Sequence, residues 1–180
     1  MSPTKSKVTL LILLAVFILP MYFASQLYYS RHDSIPKPLN RGTLLNPMIP
    51  FAGLEADHPL ERHWTLVQIQ MKPCEDQCKK NLYKMNQVWL SLGAERDRVN
   101  RSLMTTEALK TDVQTDFVLA SYPRLQLLLI PEKKLQSLRN HGDLFIVDPL
   151  GNIMLAYSEA APPDDIYADL KRLLSVSQIG

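Results

Sequence analysis

Cys74 and Cys78 are the two cysteines of this 180-residue chain, set four apart in KPCEDQC. Two thiols so close in sequence cannot form a framework of crosslinks between distant elements, so their chemistry has to be local. A thiol in the first turn of a helix meets the positive end of the backbone dipole and free N–H groups, which favour thiolate over thiol. Glu75 and Asp76 lie between the two cysteines and oppose that effect with negative charge. Spacing is more decisive: Cβ atoms four apart on a regular helix are about 5–6 Å apart, while a disulfide needs about 3.5–4.5 Å. Cys74 must therefore sit at or before the N-cap if the pair is to oxidise, and Pro73 favours such an extended or turning approach. In that geometry the sulfurs can join to each other or chelate one soft ion, and both chemistries stay open. Two buried, inert cysteines are the plain alternative. Their place in a polar strand-to-helix turn argues against it.

The elements around the pair are readable from periodicity. His63–Met71 (HWTLVQIQM) has the residue types and alternation of a strand and leads directly into the motif. From Glu75 to Leu92, apolar Leu82, Met85, Val88, Trp89 and Leu92 recur at spacings of three and four, which predicts a helix with Gly93 past its end. Arg98–Met104 reads as a second strand and Thr105–Ala120 as an ill-defined stretch with a short helix. Arg124–Ile130 reads as a buried strand stopped by Pro131, and Glu132–Leu138 as a short helix. Leu144–Val147 and Ile153–Tyr157 flank a Pro- and Gly-containing turn in which Asp148 and Gly151 have structural work, and Pro162–Pro163 opens a last helix. This order predicts an α/β sandwich with helices on both faces of a mixed sheet.

Val8–Leu27 is an uncharged, mostly apolar run of the length that crosses a bilayer as a helix, with Pro20 and the rings of Tyr22, Phe23, Tyr28 and Tyr29 toward its far end. No small-residue cleavage site follows it, so an uncleaved anchor is expected. Lys5 and Lys7 before it and Arg31, Lys37 and Arg41 after it leave the orientation unset by charge. The expected organisation is a short cytoplasmic N-terminus 1–7, an anchor 8–27, a Pro-containing linker 28–62 without packed elements, and a domain 63–180. His32, His58 and His63, in or beside that linker, are expected in solvent. A net charge of +2 gives no basic face for nucleic acid.

The stretch WTLVQIQMKPCEDQCKKNLYKMNQVWLSLG resembles the Sco family of cytochrome oxidase assembly proteins, whose thioredoxin-like domains carry a CxxxC motif after the first core strand. Glu75 and Lys79 stand where that family has prolines after the cysteines. A second stretch, HGDLFIVDPLGNIMLAY, is similar to the family's metal-binding histidine followed by a strand and hairpin. The resemblance implies a thioredoxin-like fold, a redox pair at Cys74 and Cys78, and copper held by Cys74, Cys78 and His141. Two thiolates and an imidazole suit copper chemically. An exposed loop histidine is the competing reading of His141, and core filling that of Met71. The resemblance further implies a cytochrome oxidase subunit or other respiratory assembly protein as partner, and a single-pass protein of the bacterial inner membrane with its domain in the periplasm. A general thiol–disulfide reductase and a non-catalytic scaffold of the same fold are the alternatives.

Overall fold

In the computed structural model, residues 3–32, 39–57, 60, 62–110 and 113–179 are described. They form two compact units, Met1–Leu39 and Asn40–Gly180. The first holds one helix, α1 (Pro3–His32), which runs through Pro20. Its segment Lys7–Tyr29, 23 residues, is long and apolar enough to cross a membrane. At about 1.5 Å per residue it exceeds the ~30 Å hydrocarbon layer. Phe17, Met21, Tyr28 and Tyr29 are exposed along it, as a lipid-facing helix requires.

The second unit is a six-stranded mixed sheet in the order β1-β6-β5-β2-β3-β4. Its strands are β1 (Thr43–Pro50), β2 (Trp64–Ile69), β3 (Val99–Thr105), β4 (Leu125–Leu129), β5 (Leu144–Val147) and β6 (Asn152–Tyr157). β2, β3 and β4 run parallel, while β5 pairs antiparallel with β2 and β6, and β1 antiparallel with β6. The helices are α2 (Asp76–Ser91), α3 (Glu107–Lys110), α4 (Val113–Ser121), α5 (Glu132–Arg139) and α6 (Pro163–Val176).

Every position of β2 is buried, because both faces of the sheet are covered. Leu66 on one face packs with Leu82, Met85 and Val88 of α2, Val118 of α4 and Ile166, Leu170 and Leu174 of α6. Val67 and Ile69 on the other pack with Leu135 and Leu138 of α5 and with Phe51 and Leu54 of a 3-10 turn. Each large apolar side chain buried in this way contributes about 1.5–3 kcal/mol. The sandwich expected from the sequence is therefore present, with each core element within a few residues of its predicted span.

The expectation of a linker free of packed elements is overturned from Asn40 onward. β1 forms an outer strand of the sheet, and Leu45, Phe51, Leu54 and Leu60 are buried in the second cluster. Prolines concealed it: Pro47 and Pro50 lie in a strand with an irregular register at the sheet edge, where proline's missing N–H costs no ladder bond. Pro36, Pro38, Pro59 and His58 lie outside the described residues. The ill-defined middle contains two short helices, α3 and α4, in place of one.

A buried carboxylate fastens the start of β1. Asp169 of α6, 3 % exposed, accepts the backbone N–H groups of Arg41 and Gly42 at 2.8–3.0 Å and the Tyr157 hydroxyl at 2.8 Å. Burial, reinforced by the bond to Asp169, raises the Tyr157 pKa far above that of a free phenol. Gly42 is required for this approach, since a Cβ there would stand 2.5 Å from the Tyr157 ring. Asp169→Ala leaves three donors without an acceptor and is expected to destabilise the domain by about 3 kcal/mol, against about 1 kcal/mol for Tyr157→Phe. Denaturant unfolding measures both, and equal effects would show that the carboxylate bonds carry no special weight.

Candidate functional site

β2 ends at Ile69, whose N–H is held by the Asp143 carbonyl, and Gln70 continues the parallel pairing by donating its N–H to the Met104 carbonyl at 2.8 Å. The chain then turns through Lys72 and Pro73, and the Glu75 N–H closes on the Pro73 carbonyl at 2.8 Å. Glu75 is the N-cap of α2 in extended backbone. Cys74 thus precedes the cap and Cys78 lies in the first turn, the arrangement the spacing argument demands. Their Cα atoms are 5.1 Å apart and the sulfurs are joined in a disulfide. That separation lies within the range that unstrained disulfides span.

The two sulfurs have different surroundings. Cys74 is fully buried and belongs to the apolar cluster in which β2, α2 and α6 meet. Cys78 is half-buried and borders a groove of about 500 Å³. The polar turn expected around the pair is therefore true of Cys78 and of the intervening residues, but not of Cys74. Glu75 and Asp76 are exposed, where solvent and salt weaken their repulsion of a thiolate, and Asp76 in the first turn also complements the helix dipole.

The groove is lined by Gln68 of β2 and Gln70 just past its end, Lys72 and Pro73 of the turn, Gln77 and Asn81 of α2, and Arg139, Asp143 and Glu159. Arg139 and Asp143 pair at 2.8 Å, and Asp143 also accepts the Glu159 N–H at 2.9 Å. Lys84 ties the Glu159 segment to α2 by donating to the carbonyls of Glu159 and Ala161, each at 2.7 Å. Partial burial there lowers the Lys84 pKa. Gln68 donates from Nε2 to the Cys78 carbonyl at 3.2 Å and to its Sγ at 3.4 Å. Gln70 donates to Thr115 Oγ1 at 3.3 Å, joining the groove floor to α4.

His141 is exposed in the turn after α5, with its N–H on the Leu138 carbonyl, and it is not among the groove-lining residues. Gly142 beside it lies against the Tyr157 backbone, where a Cβ would come within 2.7 Å of the carbonyl oxygen. Among the described residues no three His, Cys, Asp or Glu side chains are gathered as a metal cluster. The structure thus brings Cys74 and Cys78 together and places His141 outside the groove. His63 is half-buried ahead of β2 and so only partly in solvent; the His32 side chain lies outside what is described. Met71 is half-buried, packs on the second cluster and borders the groove. Asp148 and Gly151 serve the β5–β6 turn: Asp148 accepts the N–H groups of Leu150 and Asn152, and Gly151 has φ +81°.

Gln68 is a site residue that the sequence alone does not single out. Nothing in the strand itself marks it, since polar residues alternate with apolar ones through HWTLVQIQM.

Solved structures share this fold. The Arabidopsis thaliana ScoI structure with copper bound aligns at a TM-score of 0.53 with 15% identity, over 66% of this chain and 87% of that one. Yeast Sco1 with copper bound aligns at 0.52 with 11% identity, over 66% and 82%. BsSco, a member of the Sco family of cytochrome c oxidase assembly proteins, aligns at 0.51 with 19% identity, over 79% and 99%. The resemblance read from the two motif stretches is met at the level of the fold. No curated protein sequence matches the chain. The model of the family described as transmembrane-like, thioredoxin-like, C-terminal domain matches residues 64–177, which span β2, the cysteine turn and all that follows to the end of α6, and the chain belongs to that family.

Proposed function

We propose that this chain is a membrane-anchored thioredoxin-like assembly factor for a respiratory cytochrome oxidase, acting by thiol–disulfide exchange at Cys74 and Cys78. The observation that carries the reading is the disulfide at the N-terminus of α2, with Cys78 among the residues that line the groove. A helix N-terminus stabilises the thiolate that exchange requires. The fold shared with Sco proteins supplies the oxidase setting, and a cysteine pair on a oxidase subunit is the substrate of that setting. α1 supplies the anchor, and a stable disulfide fits a domain on the non-cytoplasmic side, the periplasm in a bacterium. The organisation proposed is an anchor near residues 8–27 and a redox domain that includes β1.

Copper handling is the second reading, favoured by the copper-bound state of the Arabidopsis and yeast structures of the same fold. The reduced pair would offer two soft thiolate donors to copper(I) as cargo. His141, the third donor implied by the resemblance, is exposed and does not line the groove. The exchange reading does not need it.

Oxidase activity in membranes of cells lacking this gene tests the proposal. The full-length chain is expected to restore activity, Cys74→Ser and Cys78→Ser are expected to lose at least about tenfold of that restoration, and His141→Ala is expected to restore it in full. Full restoration by both cysteine variants would leave a non-catalytic scaffold. Loss in His141→Ala together with loss of copper(I) binding by the reduced chain would favour the copper reading.

A further inference from the structure

We propose that Cys78 is the sulfur that exchanges with the partner, that Cys74 is the buried resolving sulfur, and that Gln68 positions Cys78 for attack; this rests on the exchange reading above. The assignment follows from where the sulfurs lie. Cys74 is 0 % exposed within the apolar cluster that joins β2, α2 and α6, so an incoming sulfur has no approach to it and its own thiolate is disfavoured by desolvation. Cys78 is half-buried and borders the groove.

Gln68 gives the assignment its second support. It is 1 % exposed, on the strand face that carries Leu66 toward α2, where an apolar residue would be the stable choice. Its Oε1 is buried without a partner among the described residues, which makes the amide costly to keep. Its Nε2 bonds both the carbonyl and the sulfur of Cys78. An N–H donor there stabilises negative charge on Cys78 Sγ and fixes the sulfur's direction; nothing comparable faces Cys74 among the bonds described.

The reaction is written with a disulfide-bearing partner. The Cys78 thiolate attacks one partner sulfur, the Cys78–partner bond forms, and the other partner sulfur leaves as thiolate and takes up a proton. Cys74 then gives up its proton and attacks Cys78 Sγ, forming the intramolecular disulfide and expelling the second partner thiolate. The pair loses two electrons and the partner disulfide gains them. In the opposite direction a partner thiolate enters at the same Cys78 Sγ, and Cys74 leaves.

The full-length chain, reduced and briefly treated with limiting iodoacetamide, is expected to carry the label on Cys78 over Cys74 by at least about tenfold when the peptide holding both is fragmented by mass spectrometry. Cys74→Ser is expected to form a mixed disulfide with dithiobis-nitrobenzoate rapidly, and Cys78→Ser about a hundredfold more slowly. Gln68→Met is expected to slow exchange at Cys78 by about tenfold, the size of one hydrogen bond to a charged group, without lowering the unfolding midpoint of the oxidised chain. Labelling at Cys74, or equally at both, overturns the assignment while leaving the exchange reading intact. A Gln68→Met chain with unchanged exchange, or with a lowered midpoint, overturns the role of Gln68. If neither thiol of the folded, reduced chain reacts, the exchange reading itself falls.

Discussion

The start of α2 falls between its two cysteines, and that placement governs the site. Had the helix begun a turn earlier, Cys74 and Cys78 would be one helical turn apart and held beyond disulfide reach. Glu75 takes extended backbone as the N-cap instead, which returns Cys74 to a Cα separation of 5.1 Å from Cys78. The same step turns the Cys74 side chain into the core while Cys78, in the first turn, stays at the border of the groove. Bonding and asymmetry of the pair thus have one cause.

The core makes that start rigid. β2 is buried on both faces, paired in parallel with β3 and antiparallel with β5, so its exit toward Pro73 is held on both sides. α2 is fixed by Leu82, Met85 and Val88 against the sheet and by α6 beyond it. On the same helix, Trp89 donates its indole N–H to the carbonyls of Arg96 and Val99, and its ring lies 4.1 Å from the Arg101 guanidinium carbon. Burial lowers the Arg101 pKa, and its bonds to Asn86 and the Pro123 carbonyl offset that cost.

Much of this was legible in the residues. The alternating run before the motif, the three-and-four spacing of Leu82, Met85 and Val88, and the Asp148–Gly151 turn each specify local structure by sequence alone. β1 was hidden because its prolines imitate a linker, and its pairing with β6 is settled by distant residues such as Asp169. The depth of Cys74 was equally hidden: exposed Glu75, Asp76 and Gln77 follow it, and only the packing of α2 on the sheet shows that the sulfur itself faces inward. Gln68 belongs to the same class. A glutamine in a strand reads as a solvent-facing position until the helix that covers it is in place.

A redox titration of the full-length chain in glutathione buffers, followed by the mass of the trapped protein, tests the account most directly. It predicts one reversible two-electron transition between the dithiol and the Cys74–Cys78 disulfide, with the domain folded on both sides. Oxidation that yields only crosslinked pairs of chains, or a disulfide that opens only on unfolding, would contradict it.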